Sequence, residues 1–336
     1  MTRGLFGSLL TDEGYTGSAK EWYVELLRTD MYWYELIVNG HAEIDTKRHI
    51  FSQMKQLKEK VEINLEKRFV YFICTRKKVR FCSKTKALLV PEEGKLRLTV
   101  EIGRERTCRE ILVDALFEES GVPVGVEIEE TGRFISFCHS TGRKMVFSIH
   151  DFLREFKINL GIDTVIQYVG YTENPNSRPL NGVHGGLSKV LYRVSNEDND
   201  IFFTFNLFKV TTFAENNKYN VNFFVANSMT DEVKVDKEGY VIEKCFIFYF
   251  DSKNQTDNKP NEKREIENNL LEFAEKHNIG SVSIHYEVDD DCEYYNFSSS
   301  NVEAKHQHVF TTRLKNNQLF IENGAALFEQ YVTPWA

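Results

Sequence analysis

Three aromatic-rich apolar runs follow one another in quick succession: IFFTFNLFKVTTF from Ile201, YNVNFFVANS from Tyr219 and KCFIFYF from Lys244. Side chains of this kind, β-branched or aromatic and spaced either alternately or solidly, predict strands of a sheet with at least one covered face. Earlier in the chain FVYFICT, VRFCS, KALLV and KLRLTVEI, between Phe69 and Ile102, carry the same signature, as do VGVEIEE and GRFISFCHS. With 26 Phe and 15 Tyr among 336 residues, the core is expected to be built largely of rings.

Helical spacing interrupts these runs. From Ser18 to Val38 the apolar residues Trp22, Leu26 and Leu27 recur at helical intervals before Asn39-Gly40 stops the segment. Asp45 is a suitable N-cap for a helix whose stripe is Ile50, Met54, Leu57, Val61 and Leu65. Thr107 to Glu119 reads as a short amphipathic helix ended by Gly121 and Pro123, and MVFSIHDFLREFKI as a strand running into a helix. Arg264 to His277 buries Ile266, Leu270, Leu271 and Phe273 and is closed by Asn278 and Gly280. The fold class is therefore α+β. Residues 1–140 form an α+β region suited to target recognition, and residues 141–336 carry the functional signals.

No apolar run approaches the roughly 20 residues of a membrane helix, and acids interrupt the opening MTRGLFGSLLTDEG, so a cytoplasmic protein is expected. Six cysteines without a CxxC pair point to reduced, mostly buried thiols. A net charge of -8 argues against nonspecific coating of nucleic acid but leaves room for a local basic groove. The stretch containing Arg76, Lys77, Lys78, Arg80, Lys84 and Lys86 is the most basic of the chain. It reads as hairpin edges blunted by lysine or as a surface that tracks phosphates. KHQH, with His306 and His308, has no further ligand at metal spacing, and Gly182, Gly185 and Gly186 match no phosphate-binding loop.

The stretch Val165 to Gly186, VIQYVGYTENPNSRPLNGVHGG, passes from a strand into a polar turn and then supplies Arg178 and His184. A phenol at Tyr168, a guanidinium and an imidazole gathered at a strand end would suit a phosphate. Far along the chain, Glu267 in ENNLLEFAEKHN sits on a helix anchored by Leu270 and Leu271. One such carboxylate is enough to hold Mg2+ beside a substrate phosphate. Tyr168, Tyr171 and His184 are the candidates for a general base, and imidazole titrates nearest neutrality.

Tyr168-Val169-Gly170, Thr172, Asn174-Pro175 and Arg178, with His184 behind, resemble the YIG half of a GIY-YIG nuclease, and Glu267 with Leu270-Leu271 and Asn278 resembles that family's later metal-binding helix. The resemblance covers about residues 145–285. No GIY tripeptide stands just before Tyr168, where the sequence reads REFKINLG, so the family's first tyrosine is missing or displaced by an insertion.

The resemblance implies a small mixed sheet flanked by helices and a metal-dependent endonuclease that hydrolyses phosphodiester bonds with Mg2+ or Mn2+. Its site would hold Tyr168 as the active-site tyrosine, Arg178 as the transition-state arginine and Glu267 as the metal ligand. Double-stranded DNA is the expected partner, contacted by Arg76, Lys77, Lys78, Arg80 and Asn278, in a restriction or phage-defence setting; a homodimer is allowed. The alternative is a non-catalytic module that keeps the fold and binds nucleic acid or protein.

Overall fold

The computed structural model describes residues 3–41, 44–63, 69–90, 94–114, 123–175, 185–194, 196–255 and 258–324. The first half of the chain forms α1 (Glu13–Thr16), β1 (Ala19–Trp33), α2 (Tyr34–Val38), α3 (Thr46–Ile63), β2 (Phe69–Lys77), β3 (Val79–Phe81), β4 (Leu88–Val90), β5 (Lys95–Ile102), β6 (Thr107–Asp114), β7 (Gly125–Ile128), β8 (Phe134–Cys138), β9 (Lys144–Ser148) and α4 (Ile149–Glu155). The second forms β10 (Thr164–Thr172), α5 (Gly185–Arg193), β11 (Asn199–Asn216), β12 (Val221–Ala226), α6 (Asn227–Thr230), α7 (Val235–Phe250), α8 (Lys259–His277), β13 (Ile279–Glu287), β14 (Phe297–Ser298), β15 (Gln307–Lys315) and β16 (Gln318–Asn323).

Nine strands make one mixed sheet in the order β14-β10-β2-β11-β1-β13-β15-β16, with β12 also paired to β11. The pairs β1 with β13 and β10 with β14 are parallel and the others antiparallel. The fold is α+β, as its composition of strands and helices predicts. β1 and β2 lie inside this sheet beside β10 and β11, so strands from both sides of residue 140 share one hydrogen-bonded layer.

One face of the sheet is covered by α7 and α8. Phe246 of α7 meets Phe72, Phe208 and Phe310, and Phe273 of α8 meets Trp22 edge to face at 4.7 Å. On the other face α3 buries Ile50, Met54 and Leu57. Asp45 caps that helix through the Arg48 amide at 2.9 Å.

Between β2 and β10 the chain makes two small sheets, β3-β5-β4 with β6, and β7-β8-β9. They are tied to the main sheet by buried charges. Arg80 donates to both carboxylate oxygens of Asp200, at 2.8 and 3.0 Å, and His150 bridges Asp200 (3.0 Å) and the Tyr294 hydroxyl (2.6 Å). Arg76 donates to Glu293 at 2.6 Å while lying 3.8 Å over the Tyr294 ring. All six cysteines are free, four of them buried. Among the described residues no helix is long and apolar enough to cross a membrane.

Three segments differ from their sequence patterns. Trp22, Leu26 and Leu27 belong to strand β1, whose pairing with β11 slips between Leu26 and Arg28, so two adjacent leucines imitate a helical interval. The described part of the expected helix at Thr107 is strand β6, which alternates between buried Ile111 and Val113 and the exposed Leu112 between them. KCFIFYF is not a strand but the last two turns of α7, a helix buried on most sides, whose solid apolar run carries no strand period. The final helix also starts earlier than expected, at Lys259, with Pro260 in its first turn.

Candidate functional site

β10 pairs with β2 and slips by one residue at Gln167, which sets Tyr168 opposite Ile73 and Gly170 opposite Tyr71. Because pairs two steps apart along the ladder share a face, Tyr71 and Tyr168 stack diagonally across the two strands, with ring centroids 6.2 Å apart and planes at 30°. Two glycines make this contact possible. A Cβ on Gly170 would stand 2.5 Å from the Tyr71 Cζ, and one on Gly186, at the start of α5, 2.7 Å from the Tyr168 Cζ.

Burial pushes the Tyr168 phenol up to about 12, and the negative charges of Glu243 and Glu262 push in the same direction, against the Lys244 charge and the Tyr71 hydroxyl. These acids belong to a cluster at the junction of α7 and α8. The Lys244 ammonium pairs with Glu262 and lies 3.7 Å from Glu243 and 3.6 Å from Glu265. Burial alone would lower the lysine, but Glu243 and Glu262 hold it above its ordinary value. Tyr240 donates to Glu265, and burial followed by that bond raises its phenol to about 12. Tyr171, on the opposite face of β10, meets Tyr240 of α7 edge to face at 5.8 Å.

The other residues singled out by sequence are distributed differently. Glu267 accepts the backbone N–H of Leu319 at 3.0 Å and has Lys263 at 3.8 Å; it holds the β15–β16 hairpin against α8. Five positions earlier, Glu262 lies well over a quarter-turn around the helix and turns to α7 instead. Arg76 is buried in its pair with Glu293. Arg80 is engaged by Asp200, Lys78 donates to the Asn196 carbonyl, and Lys77 is exposed at the end of β2. Asn278 takes the left-handed conformation that ends α8, its side chain donating to the Thr16 carbonyl at 2.9 Å. Arg178 and His184 lie outside the described residues.

Tyr71, Glu243, Lys244 and Glu262 escape sequence reasoning. Tyr71 stands in an unmistakable strand, but its partner strand follows the whole insertion, so no local spacing joins the two tyrosines. Lys244 opens, and Glu243 directly precedes, an apolar run that reads as a strand. Of the KHQH pair, His308 is buried, its Nε2 within 3.1 Å of the Phe297 and Lys305 carbonyls, while His306 is exposed.

Among the described residues no group of three or more His, Cys, Asp or Glu side chains is arranged to hold a metal ion. Compared with known proteins, the chain matches no family model, no curated protein and no solved structure.

Proposed function

We propose that this chain is a metal-dependent nuclease acting on DNA, centred on Tyr168 and on the Glu243, Lys244 and Glu262 cluster whose charges act on its phenol. The observation that supports it is a phenol, stacked on a second ring in the YVG strand that carries the family resemblance, whose acidity is shifted by the charges of carboxylates from two helices. Glu262 here takes the part that the resemblance implied for Glu267, whose carboxylate is committed to a hairpin amide.

Carboxylate oxygens are the donors a hard divalent cation prefers, and Mg2+ needs only one or two of them. Glu262 and Glu243 would hold it. When bound, it would offset charge growing on the phosphoryl oxygens. With its phenol near 12, Tyr168 stays protonated at neutral pH and serves as a hydrogen-bond donor to a phosphoryl oxygen, not as the base. Arg178 and His184 enter the proposal on sequence alone, as a further cation and as the proton acceptor. Double-stranded substrate and a role in restriction or phage defence belong to the same proposal.

One observation favours a second reading, a non-catalytic binding module: Lys244 already stands among the three carboxylates as an internal cation. Calorimetric titration with Mg2+ separates the two readings. Under the nuclease reading the wild type binds Mg2+ and Glu262→Gln weakens binding at least about tenfold; absence of binding in the wild type supports the module.

A further inference from the structure

Alternation along β1 changes phase in mid-strand. Trp22, Val24 and Leu26 share one face, the one covered by α7 and α8, where Trp22 meets Phe273. Then Leu26 lies opposite Phe208 while Arg28 lies opposite Leu207, leaving Leu27 as an extra, exposed residue. A one-residue bulge sends every following side chain to the opposite face. Arg28, Asp30 and Tyr32, which unbroken alternation would place with Trp22, therefore project beneath α3, where Tyr32 meets Phe205 at 6.1 Å.

There they close a cavity of about 340 Å3 with Gln53 and Gln56 of α3, Arg154 of α4 and Tyr295. Each guanidinium has its own carboxylate. Arg28 chelates Asp30 at 2.7 and 2.9 Å, and Arg154 holds Asp151 at 2.6 Å. The lining therefore offers little net attraction to an anion, yet it is dense in donors and acceptors and flanked by two phenol rings. Carboxamides and an Arg–Asp fork are the groups that read the edges of bases, aromatic rings are what bases stack on, and the volume lies at the small end of ligand pockets.

We propose that this cavity binds a single nucleobase, as a nucleoside or as one unit of a nucleic-acid strand, with Gln53, Gln56 and the Arg28–Asp30 fork reading its edge and Tyr32 and Tyr295 holding its ring. A row of rings, one from each strand, runs along the same sheet face from Tyr32 through Phe205 and Tyr71 to Tyr168, at centroid distances of 6.1, 6.2 and 6.2 Å. Three strand spacings, roughly 14 Å, thus separate the cavity from the tyrosine pair. The inference stands apart from the nuclease reading, because binding is measured without metal or cleavage.

The test is calorimetric titration of the full chain in chelator with adenosine, guanosine, cytidine, uridine, a short single-stranded oligonucleotide and inorganic phosphate. Arg28→Ala and Gln56→Ala alter exposed positions and are checked for an unchanged melting temperature. At least one nucleoside or the oligonucleotide is expected to bind, at least about tenfold more weakly in both variants, with no competition from phosphate. Tighter binding of the oligonucleotide with the same sensitivity identifies a strand-borne base as the ligand. Absence of binding by any nucleoside and the oligonucleotide, binding indifferent to both variants, or displacement by phosphate overturns the inference.

Discussion

Tyr71 and Tyr168 face each other from strands that are neighbours in the sheet but separated in sequence by two small sheets, and their stacked rings occupy the room left by Gly170 and Gly186. The whole insertion can thus leave and return without disturbing the pair.

The glycine at the start of α5 gives the first test. Alanine ordinarily favours a helix over glycine by about 1 kcal/mol, yet at Gly186 its Cβ would press on the Tyr168 ring. Gly186→Ala is expected to destabilise by about 1 to 3 kcal/mol, the usual cost of overpacking. Gly185→Ala meets nothing within 4 Å and is expected to be neutral or slightly stabilising. Urea unfolding of both variants measures the difference; equal effects would argue against the close approach of α5 to β10.

Glu267 and Glu262 are expected to behave in opposite ways. Removing the Glu267 carboxylate strands the Leu319 amide, so Glu267→Ala should lower stability by about 1 to 2 kcal/mol while leaving any cleavage activity per folded molecule intact. Denaturation curves and activity measured on one preparation separate the two effects.

A buried histidine gives the chain a pH dependence. Burial holds the His308 imidazole down at about 4, despite the two carbonyls that its Nε2 faces. The unfolded chain, with an ordinary imidazole near 6.5, binds this proton first as pH falls. Stability is therefore fully present above about pH 6.5 and is lost toward pH 4, at up to about 1.4 kcal/mol per pH unit. His150, also lowered by burial, acts in the same direction. Between pH 6.5 and 5 the loss from His308 should reach about 1.6 kcal/mol. Denaturant midpoints across this range in wild type and His308→Gln test it; identical slopes would remove His308 as the cause.

Arg76 shows how a basic stretch can be consumed internally. Its partner Glu293 also accepts the Gly161 amide at 2.7 Å and the Ile162 amide at 3.1 Å, so losing either charge leaves the other buried and unpaired. Arg76→Ala and Glu293→Ala should each cost about 3 to 5 kcal/mol, and together less than their sum. A double-mutant cycle in urea measures the coupling, and additivity would contradict the pairing.

Sequence reasoning succeeded where the signal is local. Asp45 and the Ile50, Met54, Leu57 stripe define α3, and Asn278 ends α8, because a cap and a period suffice. It failed where a tertiary event altered the period. One inserted residue at Leu27 turned a strand into an apparent helix, and burial on most sides turned α7 into an apparent strand. The candidate site divides in the same way. Tyr168 and Gly170 are readable in YVG, whereas Tyr71 is brought to them only by the β2–β10 pairing, and Glu262 is brought to Lys244 only by the packing of α8 against α7.

Cleavage of plasmid DNA in Mg2+ or Mn2+ tests the central proposal most directly, comparing wild type with Tyr168→Phe, Glu262→Gln, Arg178→Ala and Glu267→Ala, all with melting temperatures recorded. The proposal expects wild-type cleavage, a loss of at least about a hundredfold in the first three, and near-wild-type activity in Glu267→Ala. An inert wild type, or full activity in folded Tyr168→Phe and Glu262→Gln, would contradict it.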